Sequence, residues 1–137
     1  MAKDIIHDIV RDALGKDGWK ITHDPFTITF GRRKVYADLG AEKLIAAERE
    51  SQKIVVEVKT FGGISNISSL EKAIGQYLLY RSWLARTEVE RLLYIALDSD
   101  AYEDLFIDIS GRVLLEDYDI SLMIVDIEKA EIIQWVN

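Results

Sequence analysis

In the triplet Glu57-Val58-Lys59 a carboxylate and an ammonium stand two residues apart, so on a β-strand they project to the same face. Val55 shares that face, while Ile54, Val56 and Val58 fill the other. The run is too apolar for a sheet edge and reads as a central strand. A charged pair placed there costs desolvation free energy unless it is paired or binds something. A second carboxylate upstream would give the pair a use. Two carboxylates can hold Mg²⁺ through oxygen ligands while a nearby lysine steadies or deprotonates an attacking water. Asp38, in Tyr36-Ala37-Asp38-Leu39-Gly40, lies one antiparallel connection before Glu57 and is the leading candidate. Lys59 is then expected between the Glu57 and Asp38 carboxylates.

The register between the two arms leaves alternatives. With the turn at residues 49–52, Glu48 faces Lys53, Glu57 faces Leu44 and Glu42 faces Lys59. Asp38 then lies further out and reaches the metal only through a bend or bulge near Gly40. Glu42 and Glu48 therefore stand as alternative ligands. Gln76, in Gly75-Gln76-Tyr77, lies one helical face away from the apolar stripe of its helix. Asp8 belongs to a row with Asp4 and Asp12, a spacing typical of a solvated helix face. Arg32, Arg33, Lys34, Lys72, Arg81 and Arg86 are scattered but could rim a DNA groove. Tyr77, Tyr80 and Trp83, at helical spacing, read as core and rim rather than base-stacking platforms.

Composition narrows the chemistry. There is no cysteine, which removes disulfides, thiolate zinc sites and cysteine nucleophiles. Only His7 and His23 are present, too few for a histidine-rich metal site. A net charge of −7 argues against coating nucleic acid through a general positive field. It leaves room for a local basic groove, an acidic metal site, or a partner that carries the positive charge. The 137 residues form one domain, 1–137, long enough to bury a core without staples. The apolar run 92–97 falls far short of the ~20 residues needed to span a bilayer. The start, Met1-Ala2-Lys3-Asp4, does not read as a signal peptide. The expectation is a soluble, cytoplasmic protein with no membrane association. No phosphate-binding glycine loop is present.

The elements that must position these residues follow from periodicity. Apolar residues at 5, 6, 9, 10, 13 and 14 predict a helix over 4–14, ended by Gly15-Lys16-Asp17-Gly18. Strands are predicted at 19–23 and 26–30, separated by Pro25, with a polar turn at 31–34 and an extended piece from Val35. A hairpin follows, with arms 44–47 and 54–58 around a turn at 48–53. A capping box, Ser68-x-x-Glu71, opens a helix running to about Arg86. Then come a strand at 92–97, a helix at 101–115 containing Gly111, and strands at 121–127 and 131–136. Strands alternating with helices imply an α/β fold, a mixed central sheet flanked by helices.

The order helix, Asp38, hairpin, Glu57-x-Lys59, helix, strand resembles the restriction-endonuclease-like αβββαβ core of the PD-(D/E)xK nuclease superfamily. The superfamily's proline before the aspartate is absent, and Ala37 stands in its place. The resemblance implies a Mg²⁺-dependent DNA endonuclease with Asp38 and Glu57 as metal ligands and Lys59 and Gln76 beside them in catalysis. Asp8 would match an acidic residue that some of these families place on the first helix.

Longer blocks are similar to the XisH family, the fdxN element excision controlling factors of cyanobacteria. They are His7-Asp8, Lys16-Asp17-Gly18-Trp19 with Ile21-Thr22-His23-Asp24-Pro25, the stretch 38–48, Glu57-Val58-Lys59, Gly75-Gln76-Tyr77 and Gln134-Trp135. This resemblance implies a role, with a companion of the XisI type, in site-specific excision of a DNA element during heterocyst development. The recombinase would be a separate protein. DNA, the companion and, indirectly, the recombinase are the expected partners, and a homodimer is left open. Two readings stand side by side. One is an endonuclease, favoured by the intact Glu57 and Lys59. The other is a catalytically inactive nuclease-fold protein that docks the companion or the recombinase, favoured by the acidic charge.

Overall fold

The structure, a computed structural model, describes residues 2–45, 50–61 and 66–137. Helix α1 (Ala2–Lys16) buries Ile6, Val10, Ala13 and Leu14, and Gly18, with φ of 90°, turns the chain back toward the sheet. Strands β1 (Lys20–His23), β2 (Phe26–Phe30), β3 (Arg33–Ala37), β4 (Leu39–Ile45) and β5 (Glu50–Val58) follow. Helix α2 (Asn66–Thr87) leads to β6 (Arg91–Asp98). A short helix α3 (Ser99–Tyr102), a π-helical turn (Glu103–Ile107) and helix α4 (Ile109–Tyr118) precede β7 (Leu122–Asp126) and β8 (Glu131–Val136).

Six strands form one mixed sheet in the order β1-β4-β5-β6-β7-β8, in which β5, β6 and β7 run parallel and the outer pairings are antiparallel. Strands β2 and β3 form a separate hairpin. An apolar layer covers each face. Ile54, Val56 and Val58 of β5 pack with Leu39 and with Ile6, Val10 and Leu14 of α1. Val55 faces the other way, with Phe26 and Ile28 of the small hairpin and Tyr77 and Leu84 of α2. A mixed sheet flanked by helices is the expected architecture, and β5 alternates its side chains between the two layers as read from the sequence.

Three local expectations differ. Both hairpin arms are longer than predicted, because the polar residues Glu50–Lys53 pair with β4 instead of turning. At the rim of a sheet polar side chains reach water while their backbone still completes the ladder. Helix α2 begins at Asn66, so Ser68 and Glu71 are exposed residues inside it and not its cap. The helix predicted over 101–115 is broken. Asp108 adopts an extended conformation and its carboxylate accepts from the Ser110 N–H at 3.1 Å, capping a fresh helix. The break lets α4 lie against the π-helical turn. Gly111 is required there, because a Cβ on it would sit 1.6 Å from the Leu105 carbonyl oxygen. Among the described residues no helix is long and apolar enough to cross a membrane.

This close approach is testable. Gly111→Ala should destabilise the fold by more than about 2 kcal/mol, as backbone clashes in packed interiors do. Urea unfolding followed by circular dichroism reads it, and a variant within 0.5 kcal/mol of wild type, roughly the effect of an ordinary surface change, would refute the packing described.

Candidate metal centre

The pairing of β4 with β5 decides which carboxylates meet. Leu44 faces Ser51 where the sequence reading placed Glu57, so the register is displaced by six residues (57 − 51). An even displacement keeps every side chain on its face of the sheet. It also moves Asp38, one step beyond the pair Leu39 and Val56, to the position beside Glu57. No bend at Gly40 is needed. Gly40 is instead set by contact, since a Cβ there would meet the Phe26 ring at 2.6 Å. Glu42 faces Lys53, and at about 3.3 Å per residue its backbone lies roughly 13 Å along the strand from Asp38. That corrects the reading of Glu42 as an alternative ligand. Glu48 lies outside the described residues.

Asp38 occupies the corner between β3, in the small hairpin, and β4, in the main sheet. The ladder ends there, and the two side chains take over its hydrogen bonds. The Asp38 N–H donates to Glu57 Oε1 at 3.1 Å, and the Val58 N–H donates to Asp38 Oδ2 at 2.7 Å. Each carboxylate thus caps a backbone donor that would otherwise be orphaned. Glu57 is the one charged residue that is buried among the described residues, at 5% exposure. Burial, then the neighbouring Asp38 carboxylate, push its pKa from 4.5 up to about 7, against the opposing pull of Lys59.

Lys59 Nζ lies 3.3 Å from Glu57 Oε2. It does not bridge to Asp38, as had been expected. The partner of Asp38 is His7 on α1, whose Nδ1 is 3.6 Å from Asp38 Oδ1. The opposite ring nitrogen, Nε2, is 3.0 Å from Asp24 Oδ1, and Asp24 is bonded in turn to Arg11. Two α1 residues and the loop before β2 therefore hold Asp38 from outside the sheet. Sequence reasoning missed His7 and Asp24. The available signal was the row His7, Val10, Leu14, whose i, i+3, i+7 spacing places His7 beside the buried stripe. Asp8, one residue on and about 100° around the helix, is exposed.

On α2, Gln76 Nε2 donates to the Tyr80 hydroxyl at 2.8 Å, and that hydroxyl donates to the Tyr36 carbonyl at 3.2 Å. Burial raises the Tyr80 pKa, the Gln76 hydrogen bond opposes it, and the charges of Glu57 and Asp38 add to the rise, so Tyr80 remains a neutral donor. Gln76 Oε1 is buried with no hydrogen-bond partner among the described residues. Tyr77 and Tyr80 are core residues. Arg81 is used structurally, on the Tyr118 and Asp119 carbonyls and over the Tyr77 ring, and Arg86 bonds back to Ser82.

The donor set suits a hard divalent cation. Asp38 and Glu57 supply carboxylate oxygens, the ligands that Mg²⁺ selects, and the raised pKa of Glu57 marks a pair that a cation would relieve. No third His, Cys, Asp or Glu completes a protein-only metal cluster among the described residues. A cation held here would keep positions for water or substrate, as Mg²⁺ commonly does.

Comparison with known proteins gives a consistent relationship. The model of the family described as XisH protein matches residues 1–133. A crystal structure of an XisH family protein from Nostoc punctiforme PCC 73102 is 37% identical, with a TM-score of 0.89 over 98% of this chain and 100% of that one. A fdxN element excision controlling factor protein from Anabaena variabilis is 36% identical, with a TM-score of 0.89 over 98% and 99%. No curated protein matches.

The buried Glu57 makes stability depend on pH. Between 4.5 and about 7 the folded chain keeps a proton that the unfolded chain releases, so stability falls as pH rises through that window. Glu57→Gln removes the dependence. In EDTA the variant should match wild type at pH 5 and exceed it at pH 8, by up to roughly 3 kcal/mol at 1.36 kcal/mol per pKa unit. Denaturant melts at the two pH values check it, and parallel pH profiles for the two proteins would contradict the assignment.

Proposed function

The chain belongs to the XisH family, and from that premise we propose that it controls excision of a DNA element through a divalent-cation site formed by Asp38 and Glu57 that acts on DNA. The observation that carries this reading is the meeting of the two carboxylates at the buried end of the β4–β5 ladder, with Lys59 3.3 Å from Glu57. Capping the two backbone donors needs only neutral acceptors, so setting a second carboxylate against the buried Glu57 favours a role beyond the caps.

Asp38 and Glu57 would hold Mg²⁺. The bound cation supplies Lewis-acid polarisation of a phosphoryl oxygen and a lowered pKa for a coordinated water. The chain's own residues do the rest. Glu57, once ionised, holds the Lys59 ammonium near the carboxylates, where it can donate a hydrogen bond to an attacking water and so orient it. His7, held from its other ring nitrogen by Asp24 and through it by Arg11, limits the rotamers open to Asp38. Tyr80 and Gln76 pack α2 against the β3–β4 corner and exclude bulk water from that side. This is the division of labour of a PD-(D/E)xK endonuclease, with Gln76 as the flanking amide.

A second reading is favoured by one feature, the occupied state of Asp38. One of its oxygens accepts from Val58 and the other faces His7, and no third acidic ligand is present among the described residues. On this reading the site is retained without cleavage, and the protein acts by docking an XisI-type companion or the recombinase.

Relaxation of supercoiled plasmid in Mg²⁺ tests the proposal. Wild type should nick the plasmid, and Asp38→Asn or Glu57→Gln should each lower the rate by on the order of 100-fold, the scale of a lost metal-site group. Equal rates for all three proteins would mean that the activity lies elsewhere. No nicking by wild type, together with heat-silent Mg²⁺ titration, would select the docking reading.

A further inference from the structure

Two cavities of opposite charge meet at Thr60 and Phe61, immediately after Lys59. One, of about 550 Å³, carries Asp98, Asp100 and Asp104 beside apolar walls that include Ile5 and Ile6. The other, of about 200 Å³, is lined by Val58, Lys59, Thr60, Ser69 and Lys72; among the described residues no acidic side chain lines it, although Lys59 is paired with Glu57 behind it. In a chain of net charge −7 this is a local reversal of sign. Lys72 is exposed and makes no ion pair among the described residues, so its charge is not consumed by the fold.

We propose that the smaller cavity is a phosphate subsite, in which Lys72, beside the Glu57-paired Lys59, supplies positive charge and Thr60 and Ser69 supply hydroxyl donors. Its volume is below the 300–1,000 Å³ typical of small-molecule pockets, so it takes an ionic group and not a whole nucleotide. Low-dielectric walls from Val58 and Ala73 strengthen the attraction for a compact anion. Ser69 lies in the first turn of α2, where the helix dipole adds to the same sign. The acidic cavity on the far side of Thr60 repels a second phosphate, so a nucleic-acid backbone is steered over Lys72 and away from Asp98 and Asp100. This deepens the reading of Asp38 and Glu57 as a site acting on DNA and rests on it for the role, although binding itself needs no metal. The phosphate could belong to a nucleic-acid backbone or be free in solution.

The test uses EDTA throughout. Fluorescence anisotropy of a labelled short DNA duplex is read against salt for wild type, Lys72→Ala, Lys72→Glu and, on the distant strand β1, Lys20→Ala. Calorimetric titration with inorganic phosphate is run in parallel. Lys72→Ala should weaken duplex binding by about 3- to 10-fold at low salt and reduce the salt slope by about 1, the loss of one phosphate contact. Lys72→Glu should weaken it further, Lys20→Ala should leave it unchanged, and melting temperatures should stay equal. Lys72-dependent heat with inorganic phosphate but no duplex binding would keep the subsite and assign it to free phosphate. The proposal falls if wild type binds neither probe, if Lys72→Glu binds as wild type does, or if Lys20→Ala loses as much as Lys72→Ala. Because no metal is present, failure of the cleavage reading shows separately, as absent nicking with phosphate binding intact.

Discussion

The structure depends on one exchange of hydrogen bonds at the end of a strand pair. The Asp38 backbone donates to the Glu57 side chain, and the Val58 backbone donates to the Asp38 side chain. Two carboxylates thereby do the work that two carbonyls do elsewhere in the ladder. The exchange lets the chain leave β3 and enter β4 without stranding a buried N–H. It also forces two like charges together in a site with 7% and 15% side-chain exposure. Folding tolerates that only with a proton, a lysine or a cation nearby, and the chain provides the first two itself.

The surrounding packing serves this corner. Ala37 is buried opposite Phe26 in the small hairpin, and Phe26 occupies the space that Gly40 leaves open. Helix α2 holds the hairpin through Phe26 and Ile28 and ties its end down by the bond from Tyr80 to the Tyr36 carbonyl. Helix α1 seals the opposite layer and brings His7 to Asp38. The Asp38 carboxylate is thus held by β5 and by α1, whereas among the described residues the Lys59 ammonium pairs with Glu57 only.

Much of this was legible in the chain. The alternation of Ile54–Val58 gives the two-layer sheet, because a period of two on a central strand needs cover on both sides. Glu57 and Lys59 stand out because charge on such a strand is costly. The β4–β5 register was not legible. Polar residues 50–53 resemble a turn in isolation, and only pairing across the sheet, Glu42 with Lys53, makes them a strand. The break before α4 was hidden for the same reason. Gly111 reads as a weak helix position until the Leu105 carbonyl is seen against it. His7 and Asp24 were missed because their meeting is tertiary, between a helix and a loop 17 residues apart.

The central claim is that Asp38 and Glu57 form one electrostatic unit built to receive a cation. Carbon-detected NMR titration of the Glu57 side-chain carboxyl measures this directly, first in EDTA and then in saturating Mg²⁺. The account predicts a midpoint near 7 without metal, moving down by at least about one unit when Mg²⁺ is present, because the cation binds only the ionised form. A midpoint in the ordinary range around 4.3, unmoved by Mg²⁺, would contradict it.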